Sequence, residues 1–249
     1  MTPRTCLVTG AGRGIGRTVA IRLSEQGHRV ALTARSGDEL RATASALRGD
    51  SMVLPGDVTT DVDAIFDRVE QKWGTVDVLV ANAGAAASAP LARTTDEIWQ
   101  RQLDINLTAP FRCTRRAVPA MVSQRWGRVV VVASMAAKHG EPYLTAYCAA
   151  KHGVLGMVRA VATEVVRSGV TVNAVCPAYV DTPMTDESVR MIAEKTGRSL
   201  DEARAVLAGR QPVGRLITVD EVTDAVMLCV GNGAITGQGI NVDGGAVQS

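Results

Sequence analysis

The chain has 249 residues, 46% of them hydrophobic and 21% charged, a balance typical of folded soluble proteins and too apolar for a disordered one. Twenty-seven basic residues against 25 acidic ones give a net charge of +2; the basic residues are scattered, with Arg115-Arg116 the one adjacent pair, so nucleic acid is not an expected partner. Five well-separated cysteines without a CxxC and only three histidines offer no zinc spacing, and the reading is a reduced, metal-free, cytoplasmic protein. The apolar run Val129–Ala133 is far too short to span a membrane, and the N-terminus enters a strand and then Gly10 almost at once, unlike a signal peptide. No membrane association is expected.

Thr5–Thr9 reads as the first strand, and Ile15, Val19 and Leu23 recur every four residues in the helix that follows. Arg29–Thr33 and Ser51–Leu54 read as strands two and three. Val62, Ile65, Phe66 and Val69 give Asp61–Trp73 helical spacing, and Val76–Val80 is the fourth strand. Thr95–Val122 is one long helix or two abutting ones, before the fifth strand, Arg128–Ala133. A helix over Thr145–Arg167 leads to the sixth strand, Val170–Val175. Residues 181–212 then break the rhythm. Met184, Val189, Ile192, Ala203, Val206 and Leu207 suggest two short helices without an intervening strand, placed to cover a site as a substrate lid. A helix over Asp220–Val230 and the strand Ile240–Val242 complete the chain. Several strands are continuously apolar, as strands covered by helices on both faces are. The alternation predicts an α/β doubly wound parallel sheet, a single domain over residues 1–249 with no linker or internal repeat.

Thr9–Gly16 (TGAGRGIG) joins the first strand to the first helix, its glycines 10, 14 and 16 spaced G-x-x-x-G-x-G. Such a turn brings backbone close to a pyrophosphate and aims helix N–H groups at the anion; no Gly-Lys-Ser/Thr follows, which excludes a P-loop. Strand two ends in Thr33-Ala34-Arg35-Ser36, without the carboxylate that would bind the ribose hydroxyls of NAD. Arg35 and Arg13 are instead suited to a 2′-phosphate, so NADPH is the expected cofactor. Asp57, followed by Val58, is placed to accept from the adenine amine, although loop aspartates and Thr59 or Thr60 also serve as helix caps. Asn82-Ala83-Gly84 ends strand four at the same sheet edge.

Tyr147 and Lys151 are four residues apart in a helix and share a face. Ser134 ends strand five, and Asn106 sits in the long helical region before it. Carbonyl reduction needs a hydride from the nicotinamide and a proton for the oxygen. A tyrosine hydroxyl serves as the acid if a nearby ammonium and the positive charge of the oxidised nicotinamide lower its pKa from about 10. Lys151 is expected to supply that field and hold the nicotinamide ribose, Ser134 to orient the substrate oxygen, and Asn106 to connect Lys151 to solvent.

In combination these features resemble the short-chain dehydrogenase/reductase family. The motifs that match are Thr9–Gly16, Asn82-Ala83-Gly84, Asn106, Ser134, Tyr147-Cys148-Ala149-Ala150-Lys151, Pro177 to Thr182, and the terminal Gly237–Gly245. The resemblance covers essentially the whole chain and is nearest to 3-oxoacyl-carrier-protein reductases and ketoreductases of aromatic polyketide synthesis. It implies a seven-stranded Rossmann-type sheet, the tetrad Asn106, Ser134, Tyr147 and Lys151, nicotinamide contacts from Pro177, Val180 and Thr182, and a homo-oligomer, usually a tetramer. It also implies cofactor contacts from Gly10, Arg13, Gly14, Ile15, Gly16, Ala83 and Gly84. Ala81 and Ala178 replace an Asn and a Gly usual in the family. For acyl carrier protein as a partner, Arg125 matches the first of two arginines expected beside the site mouth, while Ser168 takes the second place, with Arg167 adjacent. Met135, Ala136, His139, Glu141, Tyr143, Leu144, Tyr179 and Met184 are expected to line a mostly apolar substrate pocket, with His139 a candidate for a polar tail.

The expected activity is NADPH-dependent reduction of a ketone, either a 3-oxoacyl thioester or a free hydrophobic ketone, to a secondary alcohol. The alternatives are the same site working oxidatively on an alcohol, or a catalytically retired regulator or scaffold.

Overall fold

The structure is a computed structural model and describes residues 2–248. Seven strands, β1 (Thr5–Thr9), β2 (Arg29–Ala34), β3 (Ser51–Pro55), β4 (Val78–Ala81), β5 (Gly127–Val132), β6 (Val170–Pro177) and β7 (Gly239–Val242), form one parallel sheet in the order β3-β2-β1-β4-β5-β6-β7. Each lies within about two residues of its expected place. The helices are α1 (Gly14–Glu25), α2 (Gly37–Ala44), α3 (Val62–Trp73), α4 (Asp96–Leu103), α5 (Ala109–Ser123), α6 (Thr145–Val165), α7 (Pro183–Thr196), α8 (Leu200–Gly209) and α9 (Val219–Gly231).

Alternate strand residues point to opposite faces, so each strand feeds two cores. Leu7, Leu79, Val129, Val131 and Val172 pack with α3, α5 and α6 through Phe66, Val69, Met121, Val154 and Val158. Cys6, Val8, Val30, Val80, Val130 and Val175 pack on the other face with Val19 and Leu23 of α1, Leu40 of α2, and Val222 and Val226 of α9. The sheet is a doubly wound Rossmann-type sheet, as expected.

Three helical details differ from the sequence reading. Thr95–Val122 is neither one uniform helix nor two separate ones: α4 runs into a π turn over Asp104–Thr108 and directly on into α5. The helix α2 was not anticipated. It is short and polar, and it is held by the Ser36 side chain accepting from Glu39 N at 3.3 Å and by Thr43, whose hydroxyl donates to the carbonyls of Ala11 and Gly12. Nor does α3 use the expected caps. Asp61 precedes it without a side-chain capping bond, and its carboxylate accepts from Asp57 N at 2.8 Å instead.

The 181–212 segment does form two helices. They pack on each other through Val189, Ala203 and Leu207, with Tyr179 and Leu216 against them. Arg204 of α8 donates to Asp186 at 2.8 Å and also pairs with Asp181, which fastens α8 to the loop after β6. No helix among the described residues is long and apolar enough to cross a membrane.

Candidate active site

The strand order reverses between β1 and β4, and the candidate cofactor and catalytic residues gather at the C-terminal edge of the parallel sheet. The glycine turn leads into α1, whose N-terminus has neither a side-chain cap nor an acidic residue in its first turn. Helices α2, α4, α8 and α9 are all capped by Ser or Thr, so α1 alone of this group keeps its first N–H groups for another acceptor. A Cβ at Gly16 would lie 2.3 Å from the Gly10 carbonyl oxygen, which no side chain tolerates. Gly14 adopts φ +54, and the methyl of Thr182 faces it across the turn, 3.3 Å from where a Cβ would stand. Glycine turn and post-β6 loop therefore form two walls of one cradle, with Ile15 half-buried at its base.

Asn82 does not reach outward. Its amide donates to Thr9 O at 3.0 Å and Gly10 O at 3.2 Å, and the backbone N–H groups of Asn82 and Ala83 both donate to the Thr9 hydroxyl. It shapes the turn. Asp57 likewise accepts from Thr59 N and Thr59 Oγ1 on one oxygen, at 2.9 and 2.8 Å, beside buried Val58. Arg13 and Arg35 are both exposed at this end of the cradle, Arg13 being 3.7 Å from Glu187 of α7. A carboxylate that the sequence reading missed also stands here. Glu39 of α2 packs against Gly12, where a Cβ would come within 2.8 Å of its own Cβ. Its only signal in sequence was its place one turn beyond Arg35.

Ser134 caps a short turn over Met135–Ala137, its oxygen accepting from Ala136 N at 3.1 Å. Its hydroxyl stands close enough to the Tyr147 phenol to draw that phenol's pKa down. Lys151 is buried, donates to Val132 O at 3.0 Å, and has its Nζ 5.5 Å from the centre of the Tyr147 ring. Asn106 is fully buried in the π turn. Its amide donates to Ala85 O at 2.8 Å, Gln102 O at 3.1 Å and Gln102 Oε1 at 3.2 Å, while its oxygen accepts from Ala85 N at 3.3 Å. A Cβ at Gly84 would be 3.0 Å from that oxygen and 3.8 Å from Lys151 Nζ, so the glycine lets the β4 loop close onto both. The four residues of the expected tetrad thus meet around one point.

The protein groups by themselves do not lower the Tyr147 pKa. Burial dominates Tyr147 and pushes it up to about 12, against the downward pull of the Ser134 hydrogen bond. Lys151 does not bring it down, because the same burial drives the lysine itself from 10.5 to about 8 and its Nζ faces the ring and a carbonyl.

On the substrate side, Met135 is buried, Met184 and Tyr143 are exposed, and Leu144 precedes α6. Tyr143 has φ +67 and accepts from Ala89 N at 2.9 Å, which ties it to the β4–α4 loop. His139 contacts Met135 O and Glu141 through its two ring nitrogens, and Tyr179 accepts from Arg210 at 3.2 Å. Val180 is buried, and its carbonyl accepts from Thr182 and Thr185. Pro177 ends β6.

Arg125 and Arg167 are adjacent, as Arg125 donates to the Arg167 carbonyl at 3.5 Å. They are not beside the site mouth of their own chain. Arg125 precedes β5 and Ser134 follows it, so the six residues of the strand put roughly 20 Å between them.

Residues 4–193 match the family model described as short chain dehydrogenase. The 3-oxoacyl-acyl-carrier-protein reductase MabA of Mycobacterium avium is 38% identical over 249 residues, covering 97% of this chain and 89% of that protein. The 3-oxoacyl-acyl-carrier-protein reductase FabG of Thermotoga maritima is 35% identical over 255 residues, covering 98% of each. Among solved structures, a single-residue variant of actinorhodin polyketide ketoreductase with NADPH superposes with a TM-score of 0.92 at 36% identity, covering 98% of this chain and 97% of that one. Fold, turn, tetrad and these matches agree, and the chain belongs to the short-chain dehydrogenase/reductase family.

Proposed function

We propose that this protein is an NADPH-dependent reductase that converts a ketone to a secondary alcohol, with Tyr147 as general acid. The observation that carries the reading is that Ser134, Tyr147 and Lys151 stand together beside a glycine cradle that any Cβ at Gly16 would close. The cradle suits a dinucleotide. The uncapped α1 terminus and Gly10, Gly14 and Gly16 would face the pyrophosphate, Arg13 and Arg35 a 2′-phosphate, and Asp57 with Val58 the adenine. Ala83, Gly84, Pro177, Val180 and Thr182 would border the nicotinamide end, with Lys151 on the ribose. The relative solved with NADPH supports the choice of cofactor.

When bound, the cofactor supplies the hydride. The chain's own groups handle the proton. Ser134 donates to the substrate oxygen and orients it toward Tyr147. A phenol raised to about 12 is fully protonated at neutral pH and gives its proton only to a strong base, such as the alkoxide that carbonyl reduction creates. Lys151, near 8, is mostly charged at pH 7 and is a proton source close to its working range. Asn106, bonded to both Gln102 and the Ala85 loop, holds the π turn and the floor beneath Lys151; we assign it that positioning role together with a path to solvent.

A free hydrophobic ketone is favoured over a carrier-bound thioester, since Ser168 stands where the second of the two arginines expected to draw in a carrier protein would be. The α7–α8 pair acts as the substrate lid of a single domain. The half-exposed Trp99 and Phe111 on α4 and α5 favour a homotetramer, and the unpaired cysteines a cytoplasmic location. Initial rates of NADPH oxidation with 2-tetralone and acetoacetyl-CoA, repeated with NADH, test the reading. Turnover of either carbonyl with NADPH at least about tenfold ahead of NADH is expected, a gap of about 1.4 kcal/mol. No turnover of either carbonyl would overturn it.

A further inference from the structure

We infer that Glu141 and Tyr179, set by Arg210, form a polar end wall of the substrate pocket that recognises a hydroxyl group remote from the reacting ketone; the inference rests on the carbonyl-reductase reading above. Three separate segments build this wall. His139 and Glu141 lie in the loop after Ser134, Tyr179 follows β6, and Arg210 follows α8. Glu141 is anchored beside the acid, because its backbone N–H donates to Sγ of Cys148, the neighbour of Tyr147, at 3.4 Å. Tyr179 is anchored too: its carbonyl accepts from Ile217 N at 3.0 Å and from the buried Gln211 amide at 3.2 Å. Its phenol is close enough to Tyr147 for a charge on it to raise that residue's pKa.

This wall leaves one acceptor and one donor open. The Glu141 side chain is only 12% exposed. One carboxylate oxygen meets His139 Nε2 at 2.9 Å; the other is 3.7 Å from Arg210 Nη1, beyond hydrogen-bond reach. Arg210 instead directs Nη1 to the Tyr179 hydroxyl at 3.2 Å, filling an acceptor position and leaving the phenol O–H to donate elsewhere. Burial and the nearby Glu141 charge hold that phenol protonated. A strong acceptor and a free donor therefore stand side by side, and a hydroxyl, which both donates and accepts, complements the two at once. A hydrocarbon end would take water from that carboxylate oxygen without replacing its hydrogen bond, and a carboxylate end would face Glu141's like charge.

The test uses 2-tetralone with its 6-hydroxy and 6-methoxy derivatives, on the wild type and on Glu141→Leu and Glu141→Gln. We expect kcat/KM for the hydroxy ketone to exceed that for the methoxy ketone by about tenfold or more in the wild type, the scale of a hydrogen bond to a charged group. The ratio should fall to within about twofold in Glu141→Leu and lie between in Glu141→Gln. Calorimetric Kd values for the two ketones, measured with NADP+ present, should show the same preference without relying on turnover. Equal values for the two ketones in the wild type, or a preference that survives Glu141→Leu, would overturn the inference. If no ketone is reduced, the carbonyl-reductase reading fails, and the Kd ratio still decides for or against Glu141.

Discussion

Replacing Lys151 by Met should abolish activity and stabilise the fold at neutral pH, and the size of the gain can be worked from its surroundings. The lysine is 4% exposed, and burial takes it from 10.5 to about 8. That drop corresponds to about 3 kcal/mol of charging cost in the folded state. Against it stands the hydrogen bond to Val132 O, whose loss leaves a buried carbonyl short of a donor at a cost of about 1–2 kcal/mol. The variant should therefore be about 1–2 kcal/mol more stable at pH 7. Because the folded pKa lies below the unfolded one, the charging cost is full below pH 8 and disappears as pH rises toward 10.5. Wild-type stability gains on the variant across that window, and the two curves should cross, leaving the variant the less stable above it. Urea unfolding at fixed protein concentration at pH 7, 8.5 and 10 reads this directly, and melting should show about 2–4 °C per kcal/mol. Reductase kcat should fall about 100-fold or more. A variant less stable than wild type at pH 7, or a difference that does not move with pH, would refute the idea that Lys151 is held charged against its burial.

Tyr147→Phe should lower kcat by about 10²–10⁴ in both directions while leaving NADPH affinity within about threefold, measured by fluorescence titration. Since burial holds the wild-type phenol protonated, reduction should not need alkaline pH, whereas alcohol oxidation, which needs the phenolate, should climb between pH 7 and 10; superimposable pH profiles would contradict the assignment. Arg13→Ala combined with Arg35→Ala should weaken NADPH binding about 10- to 100-fold and leave NADH binding nearly unchanged, because only the 2′-phosphate is lost as a partner. Gly16→Ala places a Cβ 2.3 Å from the Gly10 carbonyl, so cofactor binding should be lost and the melting temperature lowered; binding at wild-type strength would show that the turn is not the cradle.

The sheet could be read from residues because its strands are buried on both faces. A run such as Val129–Val132 has no polar side to hide, and the order of strands and helices then leaves few right-handed topologies. Ser134, Tyr147 and Lys151 could be read for a related reason: strand ends and i, i+4 helix positions convert sequence spacing into geometry directly. What escaped depends on contacts between distant segments. The helix α2 owes its place to Thr43 reaching the carbonyls of Ala11 and Gly12, and no periodicity within its eight residues announces that. Glu39 meets Gly12 for the same reason. For Arg125 the family pattern says which residue is present, whereas β5 decides at which end of the sheet of its own chain it stands.

Tyr147 shows the deeper limit. Spacing placed a lysine beside it and implied a lowered pKa, but two buried groups four residues apart share one desolvated environment, and desolvation moves an acid up and a base down together. The pair is thereby drawn from one in which the ammonium holds its proton slightly more firmly than the phenol, 10.5 against 10, to one in which the phenol holds its proton far more firmly than the ammonium does. Such a pair resists forming a standing Tyr147 phenolate, so the acid stays loaded. It also leaves Lys151 as the more labile proton store, refilled through whatever path Asn106 keeps open at the π turn. A site on the surface with the same three residues would have neither property, and it is the burial beneath the β4 loop, made possible by Gly84, that separates the two.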